Sequence, residues 1–157
     1  MKSSNIFWIV LSILFLGGIA GTFLQKNVAI SPVMAETKAV VFQDPSCGCC
    51  GVYAEYLQRA GVLVERNKTS NMGAIKTEYG IPYELSSCHT TVVGGYVVEG
   101  HIPLEAIEKL LEEKPNILGI AMPGMPSGSP GMPGPKTETW TIYALERDGS
   151  SSIFLEL

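Results

Sequence analysis

Short apolar runs separated by turn residues mark out most of the chain beyond residue 37. Lys38 to Gln43 (KAVVFQ) is rich in β-branched residues and stops at Asp44-Pro45-Ser46, which reads as a buried strand ending in a turn. From Cys50 to Ala60 the period changes. Val52, Tyr53, Tyr56, Leu57 and Ala60 recur at three and four, and Gly61 supplies a stop, so this stretch predicts an amphipathic helix. Val62-Leu63-Val64 gives a second strand and Met72 to Tyr79 a second helix, ended by Gly80. Thr90 to Val93 and Tyr96 to Glu99 flank Gly94-Gly95, a two-residue hairpin signal, and Pro103 opens a helix that runs to Glu113.

Beyond Pro115 the character shifts. Residues 115–137 form a Met/Pro/Gly-rich loop in which Ile120 to Lys136 (IAMPGMPSGSPGMPGPK) shows neither a helical nor a strand period. Trp140 to Glu146 and Ser152 to Leu157 then flank Arg147-Asp148-Gly149, which predicts a closing hairpin. The class is α/β (α+β), with a β-α-β-α-β-β-α core plus a C-terminal β-hairpin. That order, with cysteines loaded onto the first helix, matches a thioredoxin-like domain.

The 19 residues from Ile6 to Leu24 (IFWIVLSILFLGGIAGTFL) carry no charge and contribute to the positive mean hydropathy of +0.22. They follow Lys2 and are long enough to span a bilayer as a helix, while Val33-Met34-Ala35 before Glu36 satisfies the small-residue rule for signal cleavage. A buried core helix is the poorer reading, because the run has no polar face. Residues 1–35 are therefore expected to be a signal peptide or a membrane anchor, and 36–157 an exported, periplasmic or extracytoplasmic working domain. Net charge is -4 and no block of Lys and Arg occurs, so nucleic acid is not an expected partner.

Four cysteines in 157 residues are too few for a disulfide-dense scaffold, and three of them fall within four positions, Cys47-Gly48-Cys49-Cys50. They sit at the junction between the first strand and the first helix, where unpaired backbone N–H groups and the positive end of the helix dipole favour thiolate. In a thioredoxin-like layout the loop entering the third strand lies beside that junction, which would bring Cys88 to the other three. A dithiol-disulfide oxidoreductase needs only Cys47 and Cys50, leaving Cys49 and Cys88 as surplus thiols. Zinc is disfavoured by the vicinal Cys49-Cys50 pair, whose side chains diverge by about 100° on a helix. Iron–sulfur spacings do not include C-x-C-C, and structural disulfides alone would close short, strained loops. Copper(I) fits better, being soft and content with two or three ligands, and crowded thiolates that cannot all turn to one ion can bridge several.

Met122, Met125 and Met132 in the Pro-Gly loop either seal it onto the core or offer thioether sulfur, with Met122 or Met125 the preferred additional ligands because they lie nearer the end of the last core helix. His89 follows Cys88, so strand alternation points it to the opposite face, leaving it a nearby ion or a proton-transfer role. His101, just before the last core helix, reads first as a surface or capping histidine, with a metal role as the lesser alternative.

Three segments in order, DPSCGCCGVYAEYL, GIPYELSSCHTTVVGGYVVEGHIP and AMPGMPSGSPGM, resemble the family of predicted metal-binding proteins of unknown function that includes the periplasmic CopG-type copper-resistance proteins. The resemblance covers about Lys38 to Leu145. It implies a thioredoxin-like fold and a cysteine-bridged copper cluster outside the cytoplasm, with Cys47, Cys49, Cys50 and Cys88 as ligands. The expected function is that of an exported copper-binding protein that sequesters or redox-processes Cu(I), held in a multinuclear site, and contributes to copper resistance. Copper ions and other copper-handling proteins are its expected partners, with the membrane added if residues 6–24 remain as an anchor. The alternative is a thiol-disulfide oxidoreductase acting on extracytoplasmic proteins through Cys47 and Cys50. Enzyme and binding protein both stay open.

Overall fold

The computed structural model describes residues 32–35 and 37–157. Residues 6–24, read above as a hydrophobic helix serving as signal or anchor, lie outside the described residues, among which no helix is long and apolar enough to cross a membrane. The elements run β1 (Lys38–Gln43), α1 (Gly48–Arg59), β2 (Leu63–Lys68), α2 (Met72–Glu78), a 3-10 turn (Tyr83–Leu85), β3 (His89–Val93), β4 (Tyr96–Glu99), α3 (Leu104–Glu113), β5 (Gly119–Ala121), β6 (Thr141–Leu145) and β7 (Ser151–Glu156). The seven strands form one mixed sheet in the order β2-β1-β3-β4-β5-β6-β7. Pairs β1–β2 and β4–β5 are parallel, and the remaining neighbours are antiparallel.

Side-chain alternation divides the sheet into two apolar faces. Val98, Ile120, Ile142 and Ala144 pack in the larger cluster with Tyr53 and Leu57 of α1 and Ile107 and Leu110 of α3. Their strand neighbours Val97, Ala121 and Leu145 pack instead with Ile81 and Leu85 around the 3-10 turn. In α3 the buried residues Ala106, Ile107, Leu110 and Leu111 occupy one stripe, as an amphipathic helix requires. The Gly94-Gly95 turn has φ of +57° and +85°, the left-handed pair that lets a two-residue hairpin follow the twist of its strands.

The mixed α/β class and the alternation of its first seven elements agree with the expectation. One element does not. Strand β5 lies within the segment read as irregular loop, and it links the β1–β4 half of the sheet to the closing hairpin. Three residues are too few to display a period, and a strand that opens on glycine lacks the side-chain signal altogether. Gly119 is nevertheless required there, because a Cβ at this position would run into the backbone of Val97 on β4. Gly119→Ala is expected to destabilise the protein by about 1–3 kcal/mol through overpacking between β4 and β5. The midpoint of urea unfolding, followed by far-UV circular dichroism, measures it.

Candidate metal centre

Strand β1 delivers the chain to a turn in which Asp44 Oδ1 accepts from Ser46 N at 2.8 Å and Asp44 O accepts from Cys47 N at 3.0 Å. Cys47 is the N-cap of α1 but makes no capping hydrogen bond, and the first turn contains no acidic side chain. The exposed N–H groups and the positive helix end therefore act on the cysteine sulfurs themselves. Cys47 and Cys50 are joined as a disulfide with Cα atoms 5.5 Å apart, whereas Cys49 and Cys88 are free thiols.

Cys88 arrives from the far side of the sequence. The 3-10 turn leads through Ser86 and Ser87 to Cys88, and β3 then begins at His89, whose register partner on β1 is Gln43. Cys88 Sγ consequently lies 3.6 Å from Cys50 Sγ and 3.9 Å from Cys49 Sγ, while Cys47 and Cys49 sulfurs are 3.6 Å apart. All four sulfurs fall within 4.8 Å of one another, as expected from the sequence.

Both histidines depart from expectation. His89 is not turned away from Cys88, since its Nδ1 lies 3.3 Å from the Cys88 sulfur. Strand alternation does not apply because Cys88 precedes the extended segment. His101 is neither a surface nor a capping residue. It is fully buried, with Nε2 3.1 Å from Cys88 Sγ and Nδ1 2.8 Å from the Pro130 carbonyl. A carbonyl can only accept, so His101 Nδ1 carries the hydrogen and the neutral ring presents its Nε2 lone pair to Cys88. Cys88, His89 and His101 thus form a second donor set that shares Cys88 with the four sulfurs.

Burial sets the protonation of this inner set. The Cys88 thiol is pushed up to about 12 by desolvation first and by neighbouring Cys49 second, so without a metal it keeps its proton at neutral pH. Desolvation, followed by the charges of His101 and Lys76, pushes His89 down to about 3, and burial also lowers His101. Both rings are therefore neutral donors at physiological pH. The Tyr53 ring backs them, with centroids 4.4 Å from His89 and 5.6 Å from His101.

The Pro-Gly loop covers the site through Pro130 and Gly131 rather than through its early methionines. A Cβ on Gly131, where φ is +87°, would stand 3.0 Å from Tyr53 N, 3.2 Å from Cys49 O and 3.4 Å from His101 Nδ1. Met122 is buried in the larger apolar cluster, and Met125 is half exposed. Hydrogen bonds from Ser127 Oγ to Pro135 O at 3.1 Å, Ser129 Oγ to Pro126 O at 2.7 Å and Gly128 N to Pro133 O at 3.1 Å hold the strap in shape.

The donors suit a soft metal. One set is sulfur alone and the other adds imidazole nitrogen, and neither includes a carboxylate of the kind that selects calcium or magnesium. His89 Nε2 is moreover buried with no hydrogen-bond partner. Sequence reasoning held a metal role for His101 only as its lesser reading. The available signal was Gly100 before it, a tight-approach residue with φ of +85°.

Taken together, these features define a mixed α/β protein with a four-cysteine cluster at a strand-to-helix turn. The family described as "Protein of unknown function, DUF411" matches residues 85–132, the stretch from the 3-10 turn to the strap. A solved structure described as "Copper resistance protein copG- Form 2" is 38% identical with a TM-score of 0.73, covering 78% of this chain and 98% of its own. A second, "Form 1", is 37% identical with a TM-score of 0.72 and the same coverage of both chains. No curated protein matches. The chain belongs to the family of the CopG copper resistance proteins.

Gly131→Ala should lift the strap, because the added methyl group strains the left-handed backbone and presses on α1 and His101. The expected result is faster alkylation of Cys49 and Cys88 by iodoacetamide in the copper-free protein. Peptide mass spectrometry over a time course measures it.

Proposed function

We propose that the protein is an exported, thioredoxin-like copper-binding protein that takes Cu(I) into a multinuclear site built by Cys47, Cys49, Cys50 and Cys88. The observation that carries the proposal is the convergence of all four sulfurs within 4.8 Å, two free and two joined as a disulfide. The copper-related names of the solved relatives support the choice of metal. Thiolates so close together repel one another, and Cu(I) bridging between them removes that charge without demanding the tetrahedral geometry of zinc. His89 and His101 are suited to supply nitrogen beside Cys88, with Met122 and Met125 as further thioether candidates. Residues 6–24 would direct export or tether the domain to the cytoplasmic membrane, where other copper-handling proteins could exchange metal with it.

The disulfide gives the site two capacities. With Cys47 and Cys50 oxidised, two thiols remain, and reduction makes four available. The same pair can process copper by redox chemistry. Two Cu(II) ions would each take one electron from the Cys47 and Cys50 thiols, so that two protons leave, the sulfur–sulfur bond forms and two Cu(I) ions result. Competition against a Cu(I) chelator should show more than one equivalent bound per reduced chain and fewer in the oxidised chain, with zinc binding more weakly. Saturation at one equivalent, irrespective of redox state, would refute the cluster.

A second reading, thiol-disulfide exchange with extracytoplasmic proteins, is favoured by the Cys47–Cys50 disulfide at the N-terminus of α1. Cys49 separates the two. Cys49→Ser is expected to lower copper capacity while the Cys47–Cys50 disulfide still forms. Full copper loading together with unchanged exchange activity on a model substrate would decide for the oxidoreductase.

A further inference from the structure

Glu99, the last residue of β4, has no exposed side-chain surface, yet it carries a carboxyl group and lies on the strand next to β3. Its Oε1 accepts from Ser87 N at 2.6 Å, and its Oε2 accepts from the Thr90 hydroxyl at 2.6 Å. Lys76 of α2, itself only 16% exposed, pairs with the same carboxylate. Ser87 and Thr90 are the residues immediately outside Cys88 and His89. The carboxylate therefore grips the chain on both sides of the two metal-facing residues.

The backbone around Glu99 tightens the grip. Gly100 N donates to His89 O at 3.1 Å, and Met122 N donates to Glu99 O at 3.0 Å. A Cβ on Gly100 would stand 2.6 Å from Met122 O and 2.8 Å from Ser87 Cβ, so only glycine lets β4 pass this close beneath the Cys88 segment. One residue further, His101 reaches Cys88. Glu99-Gly100-His101 thus backs Cys88 and His89 and supplies the third donor of their set.

Net stability is a poor explanation for such a pair. Desolvating a carboxylate and an ammonium group offsets most of their attraction, and apolar replacements of buried ion pairs are often neutral or stabilising. What the carboxylate supplies is two strong acceptors at a fixed spacing, with the lysine as a further partner of one of them. Groups that orient metal ligands from behind govern affinity by fixing ligand geometry before the metal arrives.

We infer that Glu99 is a positioning residue of the metal centre, holding Cys88 and His89 in place through Ser87 N–H and the Thr90 hydroxyl, with Lys76 as its counter-charge. The inference rests on the copper reading above. The test compares E99A/K76M, which removes both grips without stranding a buried cation, with E99Q/K76M, whose amide keeps an acceptor for Ser87 and a partner for Thr90. In the full chain, Cu(I) affinity is read by chelator competition and geometry by copper–sulfur absorption at full loading. The imidazole nitrogen resonances of the chain's two histidines are read in the reduced, copper-free protein.

E99A/K76M is expected to lose about tenfold or more in Cu(I) affinity, to show altered absorption when loaded, and to shift the His89 and His101 resonances. E99Q/K76M is expected to restore all three. Wild-type affinity and absorption in E99A/K76M overturn the inference, and so does an equal loss in both variants, since that would assign the effect to charge rather than to the grips. If the wild-type chain takes up no copper, the copper reading falls and the copper-free resonances decide. Unmoved resonances in E99A/K76M then overturn the inference, while displaced ones restored by glutamine support it. Should E99A/K76M fail to fold, T90V deletes one grip at nearly constant volume. A smaller shift of the same readouts is then expected, and wild-type values overturn the inference.

Discussion

The antiparallel register of β1 with β3 is the constraint on which the site depends. Gln43, where β1 ends, is paired with His89, where β3 begins. The chain that leaves β1 runs into the Cys47–Cys50 turn, and the chain that enters β3 has just passed Cys88. One backbone ladder therefore closes the long sequence gap between the two cysteine segments and fixes the height at which their sulfurs meet. A slip by one residue would turn every β3 side chain to the other face and carry Cys88 away from α1. The buried strand residues Val41, Thr91 and Val93 resist such a slip, because they fit only one face each.

Around that register the protein is built of two materials. The larger apolar cluster of α1, α3 and the sheet supplies the burial that makes the fold cohere. The site lies at the cluster's edge and is lined by polar groups whose ionisation burial opposes: a thiol kept protonated and two imidazoles kept neutral. Such a pocket is poor at holding free charge and good at accepting a cation together with the loss of the thiol proton. The helix dipole acts on the sulfurs at the start of α1 and desolvation weighs on Cys88, so the four cysteines are electrostatically unequal although they lie close together.

Much of this was legible in the sequence because the signals were local or periodic. The stripe Tyr53-Leu57 on α1, the Gly94-Gly95 turn and the Pro103 start of α3 each announce their element within a few residues, and the structure places them accordingly. The meeting of Cys88 with Cys47–Cys50 followed from topology once the order of elements was read. Strand β5 was illegible because Gly119 is there for its missing side chain, a property that leaves no hydrophobic mark. His101 was ranked low and Glu99 missed for a related reason: their roles depend on what crosses them in space, namely the Pro130 carbonyl, Ser87 and Lys76. A polar residue at the end of a strand looks the same in sequence whether water or a buried partner awaits it.

Ala121, the last residue of β5, is paired with Tyr143 on β6, two residues past the start of that strand at Thr141, so the Pro-Gly strap leaves the sheet and returns to it on neighbouring strands. Its two anchor points are held within about 10 Å of each other, one strand spacing across and two residues along, whatever path the loop takes between them. Closure of the loop is thus guaranteed by the sheet, and the entropic penalty of extra length grows only slowly. The cover over the cysteines can therefore change in length without any strand having to move, provided that Pro130 and Gly131 keep their seats against His101 and α1. In this architecture the sheet holds the sulfur cluster, and two residues of the strap answer for access to it.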